Sequence, residues 1–123
     1  MSQGVEDRVR TASRPSALQI TDMRIACLRS APFRSVLIRL DTNQGISGYG
    51  EVRDGGSKTY ALMLKSRLLG ENPCNVDRLF RRIKQFGHHA RQAGGVCAVE
   101  MALMELAGKA YGVPAYMLAG GKF

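Results

Sequence analysis

Residues 20–28, ITDMRIACL, alternate well enough that Met23, Ile25 and Cys27 fall on one face and Arg24, Ala26 and Leu28 on the other. A period of two predicts a strand with one buried face. Residues 34–42, RSVLIRLDT, repeat the pattern with Val36, Ile38 and Leu40 pointing one way. The link TNQG offers Asn43 and Gly45, both able to take positive φ in a turn, and residues 46–52, ISGYGEV, return as a third strand. Gly48 and Gly50 share a face of that strand, so something is expected to approach its backbone closely there. Short links between the three strands predict an antiparallel meander across Ile20–Val52.

At the pair Gly55–Gly56 the period changes from two to 3.6. A helix is predicted over Ser57–Leu69, with Ser57 as N-cap and Tyr60, Ala61, Leu64 and Leu68 on one stripe, stopped by Gly70 with Pro73 beyond. A second is predicted over Asn75–Phe86. There Asn75 would cap, Val76, Leu79, Phe80 and Ile83 form the stripe, Asp77 and Arg81 stand at i, i+4, and Gly87 ends the run. The third, Val96–Ala110, is apolar on nearly every side, the mark of a helix covered all round. Gly108 inside it costs about 1 kcal/mol relative to alanine, which a close neighbour would explain. After the Gly112 stop comes a short fourth helical stretch, then Gly120 and Gly121. Strands first and helices second make an α+β layout, a three-stranded meander followed by a bundle of three to four helices.

The chain has 123 residues, a single-domain length, with the apolar and charged shares of an ordinary globular domain. No apolar run reaches the ~18 residues of a membrane span, and residues 1–17 lack the apolar core of a secretory signal. Those residues are expected to be a flexible leader ahead of a domain at 18–121, in a cytoplasmic protein. Cys27, Cys74 and Cys97 are odd in number and contain no CxxC pair, which argues against a disulfide framework or a zinc site. The net charge of +8 raises a nucleic-acid partner as an alternative, an autonomous basic module. The one dense basic stretch, RLFRRIKQF (78–86), has its apolar residues at helical spacing and no interleaved aromatic platform. Its charges therefore read as a solvated helix face, and nucleic acid is disfavoured.

Little catalytic chemistry is legible. His88 and His89 are the two histidines, adjacent in a glycine-bounded loop with no carboxylate within ten residues on either side. No D-x-D, E-x-x-H or H-x-E arrangement marks a metal site. RDGGSKT (53–59) joins the last strand to the first helix and opens a helix N-terminus, an anion-facing position, although plain connectors also carry glycine and a cap.

Three segments in this order resemble the N-terminal capping domain of the mandelate racemase/muconate lactonising branch of the enolase superfamily. They are TNQGISGYGEV (42–52), LLGENPCNVDRLFRRI (68–83) and AVEMALMELAGKAYGVPAYMLAGG (98–121). The chain departs from that pattern at Glu100, Met104 and Ala119, which bears on subgroup rather than fold. The resemblance implies that the glycine pair leads into a catalytic (β/α) barrel absent from this chain, so that the apolar C-terminal third is a surface normally covered. It implies a whole enzyme, a sugar-acid dehydratase or racemase, that removes a proton α to a carboxylate and stabilises the enediolate on Mg²⁺. The base and metal ligands would lie on the barrel, leaving this chain inactive alone and binding no metal. The capping domain would contribute substrate selection through its two loops, SAPFRS (30–35) and RDGGSKT. Phe33 and Arg34 in the first, and Arg53, Asp54, Gly55 and Gly56 in the second, are the expected substrate-binding residues, arginine suiting a carboxylate. Homo-oligomer formation through the C-terminal apolar surface is expected as well.

Overall fold

The computed structural model describes residues 2–29, 34–52, 58–87 and 93–122. A short helix α1 (Ser2–Glu6) and a 3-10 turn at Pro15–Ala17 precede three strands, β1 (Ile20–Leu28), β2 (Ser35–Thr42) and β3 (Ser47–Val52). The sheet is antiparallel in the order β1-β2-β3, with Ile25 opposite Ile38 and Ile38 opposite Gly50. Helices α2 (Lys58–Met63), α3 (Val76–Ile83), α4 (Ala93–Tyr111) and α5 (Ala115–Leu118) follow. The meander and the α+β layout are as the two periodicities predict.

One face of the sheet is buried. Met23, Val36, Ile38, Leu40 and Val52 point into the core, while Ile25 and Cys27 are half-buried near its rim. Helix α4 lies along β3. A Cβ built on Gly50 would run into the carbonyl of Ala98, and one on Gly48 into that of Ala102, with the Leu106 side chain 2.7 Å away. Two strand residues advance about 6.6 Å and four helical residues about 6 Å, so successive glycines meet successive helical turns. The absent side chains let helix and strand backbones approach directly, which is the close contact the shared glycine face predicts.

α4 also treats the outer edge of β3. The Glu105 carboxylate accepts a hydrogen bond from the Tyr49 N–H, and Lys109 Nζ donates to the Ser47 carbonyl at 2.6 Å. The two side chains pair with each other at 2.9 Å. At Gly108 the close neighbour is the turn that follows the same helix: a Cβ there would stand 2.7 Å from the Val113 carbonyl.

α2 and α3 cover the rest of the core through Ala61, Leu64, Leu68, Leu79 and Ile83. The first of these helices is shorter than the Ser57–Leu69 prediction. It gives way to a 3-10 turn at Lys65–Arg67, and Gly70 then takes φ 80°. Tyr60 keeps its place on the stripe and donates its hydroxyl to the Phe86 carbonyl at 2.7 Å. Asn75 precedes α3 but makes no side-chain cap. Asn72 uses its side chain instead, accepting from the Cys74 N–H at 2.9 Å and donating to the Pro15 carbonyl at 2.7 Å. The basic face of α3 is solvated, and Arg82 turns back to Glu71.

Residues 12–19 make backbone and side-chain hydrogen bonds to the body of the domain. The N–H groups of Ala12 and Ser13 both donate to the Ala110 carbonyl, at 3.1 and 3.2 Å, using an acceptor that the end of α4 leaves free. Gln44 pairs with both backbone groups of Arg14, and Asn43 with Gln19 N–H and the Ala17 carbonyl. Of the two turn residues able to take positive φ, Gly45 does so, at 77°, and Asn43 does not. Pro15 and Leu18 are buried as a result.

Candidate functional site

Strand pairing brings the last residues of β1 and β3 and the first of β2 to one end of the sheet. Leu28, the last residue of β1, pairs with Ser35, the first of β2, and Val52, the last of β3, pairs with Val36. The chain thus leaves β1 and β3 at the same end, and α2 begins beside β1. A hollow of about 560 Å³ lies there, lined by Cys27, Leu28, Arg29, Arg34 and Lys58. Among the described residues this mouth carries three cations and no carboxylate.

Of the site residues expected from sequence, Arg34 lies in this lining and is exposed. Phe33, Arg53, Asp54, Gly55 and Gly56 lie outside the described residues, as do Ser57, His88 and His89. Arg29 and Lys58 join Arg34 and were not singled out from sequence. Their signal was position alone: each borders one of the two loops that the strand pairing places side by side.

Some of the cations elsewhere in the fold are held by carboxylates. On the solvent face of the sheet, Arg39 Nη2 donates to Asp41 Oδ2 at 3.3 Å, while its Nε stands 2.9 Å from Oδ1 without hydrogen-bond alignment. Asp22 is shared by Lys65 and Arg24, whose hydrogen bonds lower its carboxyl from 3.8 to about 2. Those charges are compensated in place. No described carboxylate forms an ion pair with Arg29, Arg34 or Lys58.

A larger hollow of about 660 Å³ opens between the start of α3, α4 and α5. It is bordered by Asp77, Arg78 and Glu100, charges of both signs, and so offers no clear preference for an ion. Cys74 on its wall is half-buried beside the Tyr111 hydroxyl, and burial pushes both groups up from their ordinary values. A buried, protonated thiol is a poor nucleophile.

No group of three or more His, Cys, Asp or Glu that could hold a metal ion occurs among the described residues. The Mg²⁺ implied by the resemblance therefore finds no ligand set in them. No helix among them is long and apolar enough to cross a membrane. What the described residues offer chemically is a gathering of positive charge at this end of the sheet.

The order of strands and helices matches known proteins. The chain is 34% identical over 111 residues to the D-xylonate dehydratase of Haloferax volcanii, covering 85% of this chain and 27% of that protein. It is 30% identical over 106 residues to the D-galactonate dehydratase of Variovorax paradoxus, covering 80% and 28%. Among solved structures, an enolase from Agrobacterium radiobacter bound to sodium and L-malate superposes with a TM-score of 0.76 at 31% identity, over 84% of this chain and 28% of that one. A mandelate racemase/muconate lactonizing enzyme-like protein from Rubrobacter xylanophilus gives 0.73 at 34%, over 87% and 29%. The chain spans between a quarter and a third of the length of these relatives. With the mandelate racemase / muconate lactonizing enzyme N-terminal domain matched over residues 7–120, and with the meander and helices in that domain's order, the chain belongs to this family of the enolase superfamily.

Proposed function

We propose that this chain is the substrate-selecting cap of an enolase-superfamily enzyme that acts on a sugar acid, as a dehydratase or racemase removing a proton next to a carboxylate. The observation that carries the reading is the hollow framed by Arg29, Arg34 and Lys58, cations without a described counter-charge at the end of the sheet where both capping loops leave. A guanidinium presents paired N–H donors that match the two oxygens of a carboxylate. Similarity to dehydratases of D-xylonate and D-galactonate, and to an enolase that holds L-malate, supports a carboxylate substrate. Phe33, Arg53, Asp54, Gly55 and Gly56 are proposed as further substrate-binding residues on the family resemblance alone.

On this reading the chain binds, orients and encloses the substrate. By the family resemblance, the base and the Mg²⁺ that would stabilise the enediolate belong to a barrel. The enzyme works in the cytoplasm and assembles with further copies through the apolar surface at the C-terminal end of this domain.

The test is a chimera in which residues 7–120 replace the matching segment of the Haloferax volcanii D-xylonate dehydratase. Arg34→Ala is expected to raise KM for the sugar acid about tenfold with a smaller change in kcat, and the 123-residue chain alone to show no turnover. An unchanged KM, or steeply salt-dependent binding of duplex DNA by the chain, would turn the assignment toward the basic-module alternative.

A further inference from the structure

We infer that residues 2–17 form a clasp with a closed and an open state, and that the closed state shields the Cys74 thiol. The segment first folds back on itself. The Glu6 carboxylate, at the end of α1, accepts from the Ser16 N–H and, at 2.7 Å, from the Ser16 hydroxyl, while Arg14 reaches Asp7 at 3.6 Å. The loop so made is then fastened to three separate parts of the domain. Ala12 and Ser13 donate to the Ala110 carbonyl at the end of α4, and Gln44 in the β2–β3 turn takes both backbone groups of Arg14. Asn72, ahead of α3, holds the Pro15 carbonyl.

Beneath the clasp lies a hollow of about 350 Å³, bordered by Glu6, Thr11 and Ser16 on its side and by Asn72, Cys74 and Tyr111 on the side of the domain. Cys74 is half-buried there. Among residues 4–17, Pro15 is the one buried side chain, so the clasp is held chiefly by hydrogen bonds at exposed positions. Water can replace such bonds at small net cost, and a segment with few buried contacts opens more readily than the core. The fastenings also depend on one another. Glu6 holds Ser16, next to the Pro15 that Asn72 holds, so losing one slackens the rest and the segment opens as a unit.

A reversible lock tests this. A Cβ on Gly112 would stand 3.5 Å from the Ala12 Cβ, a separation that a disulfide spans. Ala12→Cys with Gly112→Cys therefore fixes the clasp shut when oxidised, and reduction frees it. Both forms carry the same backbone strain at position 112, where φ is 78°. Iodoacetamide labelling near pH 8, read by peptide mass spectrometry, is expected to reach Cys74 at least about tenfold more slowly in the bridged form, with the exposed Cys97 labelled equally fast in both. In the otherwise unaltered chain, Glu6→Ala removes the hold on Ser16 and is expected to speed Cys74 labelling at least about threefold, Cys97 again unchanged. Equal Cys74 rates in the bridged and reduced forms, or in Glu6→Ala and the unaltered chain, overturn the inference. A change at Cys97 as large as that at Cys74 overturns it too, since the whole domain would then be loosened. So does failure of the bridge to form, because Ala12 would then not rest against Gly112.

Discussion

Gly50 sits so close beneath the Ala98 carbonyl that no side chain could stand between strand and helix. The contact joins residues far apart in sequence and recurs one turn along, where Gly48 meets Ala102. Gly50→Ala is therefore expected to destabilise the domain by about 3 kcal/mol, through overpacking against backbone that has nowhere to move. Gly45→Ala should lose about 1 kcal/mol, since the turn holds φ at 77° but nothing lies within 4 Å of the new methyl group. Urea unfolding of the two variants checks the order. Equal losses would mean that α4 does not ride on the glycine face.

The pH dependence of stability provides a second check. Asp22 is held near 2 by its hydrogen bonds to Lys65 and Arg24, against an ordinary 3.8. A carboxyl depressed in the folded state contributes stability that is fully present above the ordinary value and is lost as pH falls toward the folded one. Urea midpoints of the unaltered chain should thus fall more steeply between pH 4 and pH 2 than those of Asp22→Asn. High salt should narrow the gap, because these groups are solvent-exposed. Parallel pH profiles would remove the network's role.

Thiol reactivity should rank the cysteines by burial. Cys97 is exposed, while Cys74 is half-buried with its thiol pushed up by desolvation. Alkylation by iodoacetamide near pH 8, read by peptide mass spectrometry, is expected at Cys97 first and at Cys74 last. Early modification of Cys74 would mean that the contact between the Pro15 segment and α4 opens readily.

Met101, Tyr116 and Met117 are more than half exposed, and Tyr49 nearly so. With Met104 and Ala119, all but Met117 border an apolar hollow of about 500 Å³ on the outer side of α4. Burying such surface contributes roughly 25 cal/mol per Å². Self-association of the chain at micromolar concentration is expected in sedimentation velocity, and Met101→Lys with Tyr116→Lys should return it to the monomer. A monomeric unaltered chain would leave this surface without a role in assembly.

Much of this fold was legible because its elements are set by short-range patterns. Alternation at Val36, Ile38 and Leu40 gave a strand, and the stripe at Leu79 and Ile83 gave a helix; both face the core as that spacing requires. Gly48 and Gly50 announced a backbone contact, although nothing in the sequence named Ala98 and Ala102 as the partners. The clamp on residues 12–19 was not legible, because its key acceptor is the Ala110 carbonyl, a backbone group that every residue carries. Asn72 and Asn75 illustrate a similar limit. Asn75 stands at the N-cap position the sequence predicts yet makes no side-chain cap bond, while Asn72 reaches the Pro15 carbonyl. At the site, Arg34 was visible for its chemistry within a loop. Arg29 and Lys58 became candidates only when strand register brought the two loop ends together.

The hydrogen bonds that tie Glu105 and Lys109 to the margin of β3 bear on how this protein behaves in a crowded solution. A three-stranded sheet has two open borders, each a template on which another chain can lay down a further strand. On β3 the Tyr49 N–H and the Ser47 carbonyl are already engaged by side chains of α4. On β1 both backbone groups of Ile20 are taken by the segment at Gly70–Glu71. Addition of a further strand is therefore obstructed at Ser47 and Tyr49 on one border and at Ile20 on the other.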